Sequence, residues 1–125
     1  MSIVFEKEED AAGGNGIMTT AHPAVLLPVQ LADKTAQLPA GTVLKQSASG
    51  GTYEAAADSD TPVCVLVEKS DGTTGLQMAA FHGVAVRARL VNASGDEPEA
   101  ASDTLAGKLP AVGIWLAQSF AGEVK

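Results

Sequence analysis

Cysteine, long apolar runs and basic residues are all scarce in this sequence. Cys64 is the only cysteine, which excludes an internal disulfide and a cysteine-based zinc site. No apolar run approaches the roughly 20 residues that a membrane-spanning helix requires. The segment Met1–Asp10 lacks the basic start and apolar stretch of a signal peptide. We therefore expect a protein that is made in a cytoplasm and kept there, or kept in something assembled there.

Basic residues are also few, and acidic residues outnumber them. The chain has 8 lysines and arginines against 15 aspartates and glutamates, which gives a formal net charge of −7. Binding to nucleic acid phosphates requires clustered basic residues, and an anionic membrane surface repels negative charge. The charge therefore argues against nucleic acid and membrane partners and favours a partner surface with basic patches.

Aromatic residues make up only 4% of the chain, whereas 46% of the residues are hydrophobic and many of these are alanine. Alanine adds little buried area, so the core should be thin for a chain of 125 residues. Such a chain has room for one domain and often gains stability through oligomerisation.

The first twenty residues differ from the rest in composition. The charged segment Glu6–Asp10 is followed by the glycine-rich segment Ala11–Gly16, and neither can pack a core. We interpret residues 1–20 as a flexible N-terminal arm and residues 21–125 as one β-rich domain. The tip of this arm, which we expect to bind a partner, consists of Ser2, Ile3, Val4 and Phe5.

Alternating apolar and polar residues, interrupted by turns at intervals of about ten residues, predict six to eight short strands in a small β-barrel or β-sandwich. Pro28 should restrict its strand to an edge. The segment Pro62–Glu68 is apolar on both faces, as in a central buried strand. The predicted strands cover residues 25–31, 42–46, 53–55, 62–68, 76–91 (one strand, or two broken near His82 and Gly83) and 113–117.

One short helix is predicted near the C-terminus. Ser102 is a candidate N-cap, and Pro110 should end the helix. Leu105 and Leu109 lie four residues apart and therefore on one helix face. Trp115, the only tryptophan, is interpreted first as a core residue, with a subunit interface as the alternative. The candidate interface residues are Leu105, Leu109 and Trp115.

No residue pattern points to catalysis. His22 and His82 are separated by sixty positions without companion ligands at metal spacing, and we interpret His82 as a hydrogen-bonded residue in a bend. Cys64 lies in an apolar run, which predicts a buried and inert thiol. We therefore predict no enzyme, no catalytic residue, no metal site and no cofactor. The acidic residues that we interpret as solvated loop charge are Asp58, Asp60, Asp96, Glu97 and Glu99.

The order of several short elements along the chain resembles one known family. The residues that carry the resemblance are Leu38–Leu44, Tyr53, Pro62–Glu68, Phe81–Val86, Leu105–Leu109 and Gly113–Trp115. In this order they resemble the tailed-phage head decoration proteins, the group that includes the lambda head protein D. The resemblance covers residues 25–118, and it does not extend to the acidic patch and glycine run of the arm.

The resemblance implies a mainly β fold, described as a β-tulip or β-clip, with a short helix near the C-terminus and a flexible N-terminal arm. It also implies a homotrimer that binds the major capsid protein on the outer surface of the expanded head and stabilises the shell. The protein would be made in the host cytoplasm and located in the virion.

Two other functions stay open from the sequence. One is a trimeric β-clip nucleotide hydrolase, although the acidic and glycine-rich substrate motifs of that class are not found here. The other is a different phage structural module, such as a tail or fibre component. Turnover of a nucleotide with magnesium would favour the first, and the position of the protein in the virion would identify the second.

Overall fold

The structure is a computed structural model that describes residues 16–19, 22–48, 50–98 and 104–117. Within these residues the chain is mainly β with one short α-helix, which confirms the predicted fold class. The strands are β1 (Val25–Gln30), β2 (Val43–Gln46), β3 (Tyr53–Ala55), β4 (Cys64–Leu66), β5 (Leu76–Val86) and β6 (Ile114–Ala117), and the helix is α1 (Leu105–Lys108).

The strands form one mixed sheet. The order β1-β5-β4-β2-β3 is antiparallel throughout, and β6 pairs in parallel with β5. Strand β4 is buried at all three positions and lies between β2 and β5, which confirms the predicted central strand. A single parallel bridge joins Leu31 to Tyr53. One bridge is not a ladder, so closure of the sheet into a barrel stays a prediction.

Alternate residues of the central strands contact two separate cores. Val65 belongs to one cluster, whereas its neighbours Cys64 and Leu66 belong to the other. On β2, Val43 likewise belongs to the first cluster and Leu44 to the second. Because successive side chains of a strand point to opposite faces, the sheet is covered on both faces. This arrangement explains why the central run is apolar without alternation.

The long strand β5 is continuous, but its alternation changes phase at Gly83. Ala80 and Ala85 both pack on the first core cluster although five positions separate them, which strict alternation does not allow. Gly83 has a φ of +138°, and a Cβ atom there would lie 2.9 Å from Cε of Met18. The break predicted near His82 and Gly83 is therefore a change of face within one strand.

Residues 17–19 belong to the packed domain and not to a flexible arm. Ile17, Met18 and Thr19 are buried. Val86 N–H donates to the carbonyl of Ile17 at 2.8 Å, and Thr19 N–H donates to the carbonyl of Val84 at 2.8 Å. The predicted boundary at residue 20 is therefore too late, because two apolar residues are too few to reveal a strand. Residues 2–5 lie outside the described residues, so the role of the arm stays a prediction.

The C-terminal helical region differs in detail from the prediction. Ser102 lies outside the described residues, and Thr104 occupies the N-cap position of α1. Pro110 does not end the helical path, since residues Leu109–Val112 continue as a 3₁₀ helix up to Gly113. Proline is tolerated there because the first turn of a helix needs no intrahelical N–H donor. Among the described residues no helix has the length and apolarity to cross a membrane.

Candidate binding surface

Trp115 projects from β6 into solvent. Ile114 pairs with Gly83 and is fully buried in the first core cluster. Since alternate side chains of a strand face opposite sides, the next residue must point outward, and Trp115 is 48% exposed. The interpretation of Trp115 as a core residue is therefore wrong, and the interface alternative remains a prediction.

Leu105 and Leu109 do not share this surface. Both side chains have 0% exposure and pack in the first core cluster with Ile114. A side chain that is completely enclosed within one chain cannot contact another subunit. Their spacing of four correctly indicated one apolar helix face, but that face covers the sheet of the same chain. Of the three candidate interface residues, only Trp115 is accessible.

Two histidines that are far apart in sequence meet beside Trp115. The Nε2 atoms of His22 and His82 are 3.1 Å apart. The ring of His82 also meets the ring of Trp115 edge to face, with 5.5 Å between centroids. Antiparallel pairing of β1 with β5 creates this contact, because Val25 stands opposite His82. No sequence spacing could have indicated it, since it depends on the register of two strands.

Val25 adds an apolar edge to this region. It is 47% exposed and lies opposite His82 on the neighbouring strand. The register of β1 and β5 shifts between Val25 and Leu26, so this pair lies beyond a β-bulge. We call His22, Val25, His82 and Trp115 the Trp115 surface. His82 joins these residues, since it contacts the rings of His22 and Trp115 and pairs with Val25, whereas scattered single apolar residues are normal on protein surfaces.

The strand that carries Trp115 has an open edge. Within the described part of the chain, β6 pairs only with β5. Among those residues no strand pairs with its other edge, and the backbone groups of such an edge can pair with another chain. Strand β1 is also at an edge, but Pro28 removes one donor there and limits such pairing. Strand β6 contains no proline and is the more suitable edge for an intermolecular contact.

The acidic residues of the loops have local partners. Asp60 accepts the backbone N–H of Ala57 at 2.9 Å and lies 3.1 Å from Nζ of Lys45. These two contacts, the backbone hydrogen bond first, lower the pKa of Asp60. Asp58 accepts a hydrogen bond from Asn92. Glu99 lies outside the described residues. Within the described ranges no group of three or more histidine, cysteine, aspartate or glutamate side chains could hold a metal ion.

Cys64 is buried, as predicted. Burial raises the pKa of its thiol to about 12, so very little thiolate exists near neutral pH. We expect 5,5′-dithiobis(2-nitrobenzoic acid) at pH 8 to modify Cys64 only as fast as the protein opens, and to modify it at once in denaturant. A rapid stoichiometric reaction of the native protein would contradict this prediction.

Comparison with protein-family models and with curated proteins finds no match to this chain. The resemblance to the head decoration proteins therefore depends on the residues quoted for it, and the function that it implies is a proposal.

Proposed function

We propose that this chain is a tailed-phage capsid decoration protein that binds the outer surface of the expanded head as a homotrimer and stabilises the shell without catalysis. The observation that carries the proposal is the position of Trp115, which is half exposed on a strand with an open edge. Together with the order of sequence elements, this position supports a role in binding.

Trp115 is the proposed anchor between subunits. A fully buried tryptophan covers about 150–250 Å², and the exposed half of Trp115 leaves about half of that area for a contact. Tryptophan is also enriched among the residues that dominate interface energies. The open edge of β6 supplies backbone hydrogen bonds that fix the orientation of the neighbouring subunit. Val25 lies beside His82 and extends the apolar contact.

Residues 2–5 are the proposed contact with the major capsid protein. Burying Ile3, Val4 and Phe5 would contribute roughly 1.5–3 kcal/mol each, while ordering the backbone costs about 1–2 kcal/mol per residue. One arm therefore binds weakly. Three arms on one trimer act together through their effective concentration, so the trimer binds firmly only where the shell presents three sites.

The first test is the oligomeric state and its consequence for binding. Size-exclusion chromatography with light scattering should show a trimer, or a monomer that forms trimers on the shell. Sedimentation with expanded and unexpanded heads of the parent phage should recover the protein only with expanded heads. A stable monomer that binds neither form, or turnover of a nucleotide with magnesium, would contradict the proposal.

Deletion of residues 2–15 should separate the arm from the domain. We expect the midpoint of thermal unfolding to stay unchanged, because the deletion spares the buried residues 17–19. Affinity for expanded heads should fall by about 10²-fold or more as the multivalent contact is lost. Equal head binding by the truncated protein would exclude the arm as the tether.

A longer deletion supplies the control for this experiment. Removing residues 2–20 takes away Met18, which is fully buried and bridges to Ala85. This variant should unfold at a lower temperature whether or not heads are present. A loss of head binding by this variant alone would therefore reflect damage to the domain.

A further inference from the structure

We propose that His22 and His82 form a binding site for a divalent transition metal of the late first row, such as Cu²⁺ or Zn²⁺. Two imidazole nitrogens converge there from separate chain segments, with Nε2 atoms 3.1 Å apart. This inference does not depend on the proposed function, since it rests only on the geometry of this pair.

The separation of the two nitrogens suits chelation. Two nitrogen ligands at about 2.0–2.1 Å from one tetrahedral zinc ion stand about 3.3 Å apart. The Nε2 atoms of His22 and His82 are 3.1 Å apart. The observed separation is therefore within about 0.2 Å of the one that two ligands of a single zinc ion require.

The fold holds His82 in place. Its ring is half-buried and packs edge to face against Trp115. Behind the ring, a Cβ atom at Gly113 would lie only 2.9 Å from Nδ1 of His82, so glycine leaves the space that the ring occupies. Gly83 N–H donates to the carbonyl of Gly113 at 3.0 Å and ties the two segments together. One ligand of the pair is thus positioned before metal arrives.

Metal binding must also account for the proton that the two imidazole rings share. In the metal-free pair one imidazole donates its Nε2–H to the Nε2 lone pair of the other. A metal ion needs the lone pair of both Nε2 atoms, so the donating ring must move its proton to Nδ1 through solvent. Both rings stay neutral and the neutral pair loses no proton. A pair that carries an extra proton releases that proton to solvent on binding.

The ligand type selects the class of ion. Imidazole suits copper, nickel and zinc, whereas magnesium and calcium prefer oxygen ligands. The stability order of divalent ions at nitrogen sites places Cu²⁺ above Ni²⁺ and Zn²⁺. Within the described ranges no third histidine, cysteine, aspartate or glutamate joins the pair, so these ranges supply two protein ligands, and the other coordination positions are open to water or further ligands.

Trp115 provides a built-in reporter, since it is the only tryptophan and its ring lies 5.5 Å from that of His82. The protein is prepared without a histidine tag. We expect CuCl₂ to quench the fluorescence of Trp115, and we expect the quenching to saturate at one ion per chain. ZnCl₂ should compete with copper, and MgCl₂ should have no effect. Zinc at a hundredfold excess over its dissociation constant should raise the unfolding midpoint by roughly 10 °C.

The matched variant is His22→Gln, because His22 is exposed and its replacement leaves the packing of Trp115 intact. This variant should keep its unfolding midpoint without metal and lose at least about tenfold in copper affinity. His82→Gln should lose affinity similarly, and Trp115→Phe should still bind zinc by calorimetry. Equal quenching of wild type and His22→Gln, or no saturation up to millimolar copper, would overturn the proposal.

Discussion

Gly41→Ala is expected to be among the most destabilising single-methyl additions in this chain. Gly41 has a φ of +97°, and a Cβ atom there would lie 2.0 Å from the carbonyl oxygen of Arg89. That oxygen belongs to the backbone, so the clash cannot be relieved by rotating a side chain. The left-handed conformation costs about 1–3 kcal/mol for a residue with a Cβ atom, and overpacking costs about 1–3 kcal/mol more.

Moving Arg89 away would also break neighbouring hydrogen bonds. Gly41 N–H donates to the carbonyl of Leu66, and Val91 N–H donates to the carbonyl of Gly41, at 2.8 and 2.9 Å. These bonds join the end of β4 to the segment after β5. We therefore expect the unfolding midpoint to fall by roughly 10–20 °C, or the protein to misfold.

Gly95→Ala is the matched control for this substitution. Gly95 has a φ of +87°, but a Cβ atom there would meet nothing within 4 Å. It should cost about 1 kcal/mol through backbone strain alone. Thermal unfolding of both variants, followed by circular dichroism, measures the difference. Equal losses would mean that the backbone around Arg89 yields easily, which would contradict the argument from the clash.

Local patterns predicted the first half of the sheet well. The alternation from Val25 onward gave β1, and Pro28 placed it at an edge. The predicted strands at residues 42–46 and 62–68 correspond to β2 and β4. Each of these features depends on residues within a few positions of one another, which is the range over which periodicity and turn chemistry act.

Features that depend on strand register could not be predicted in this way. Alternation of Val84, Val86 and Leu90 predicted a strand up to residue 91, but residues Arg87–Arg89 form a 3₁₀ helix. The contact between His22 and His82 requires the antiparallel register of two distant segments. Exposure of Trp115 likewise depends on which face of β6 packs on the helix, and a short apolar strand does not reveal that face.

Leu109→Ala should mainly lower the stability of the fold, whereas Trp115→Ala should mainly weaken association. Leu109 is fully enclosed in the first core cluster, and removal of such a side chain costs about 2–5 kcal/mol because a cavity remains. The free energy of unfolding should fall by this amount at any protein concentration. Association of Leu109→Ala subunits should weaken only because fewer subunits are folded.

Trp115→Ala should cost the folded monomer about 1–2 kcal/mol, no more than Leu109→Ala, since only half of the side chain is buried. If Trp115 anchors the proposed trimer, its removal should cost about 2 kcal/mol or more per contact, roughly 30-fold in association. Urea unfolding by far-ultraviolet circular dichroism and sedimentation velocity measure the two quantities separately. Trp115 lies on the outer face of β6, whereas Leu109 lies in the core on the other face. A trimer that persisted in Trp115→Ala would therefore mean that the subunits meet at a surface other than the Trp115 surface.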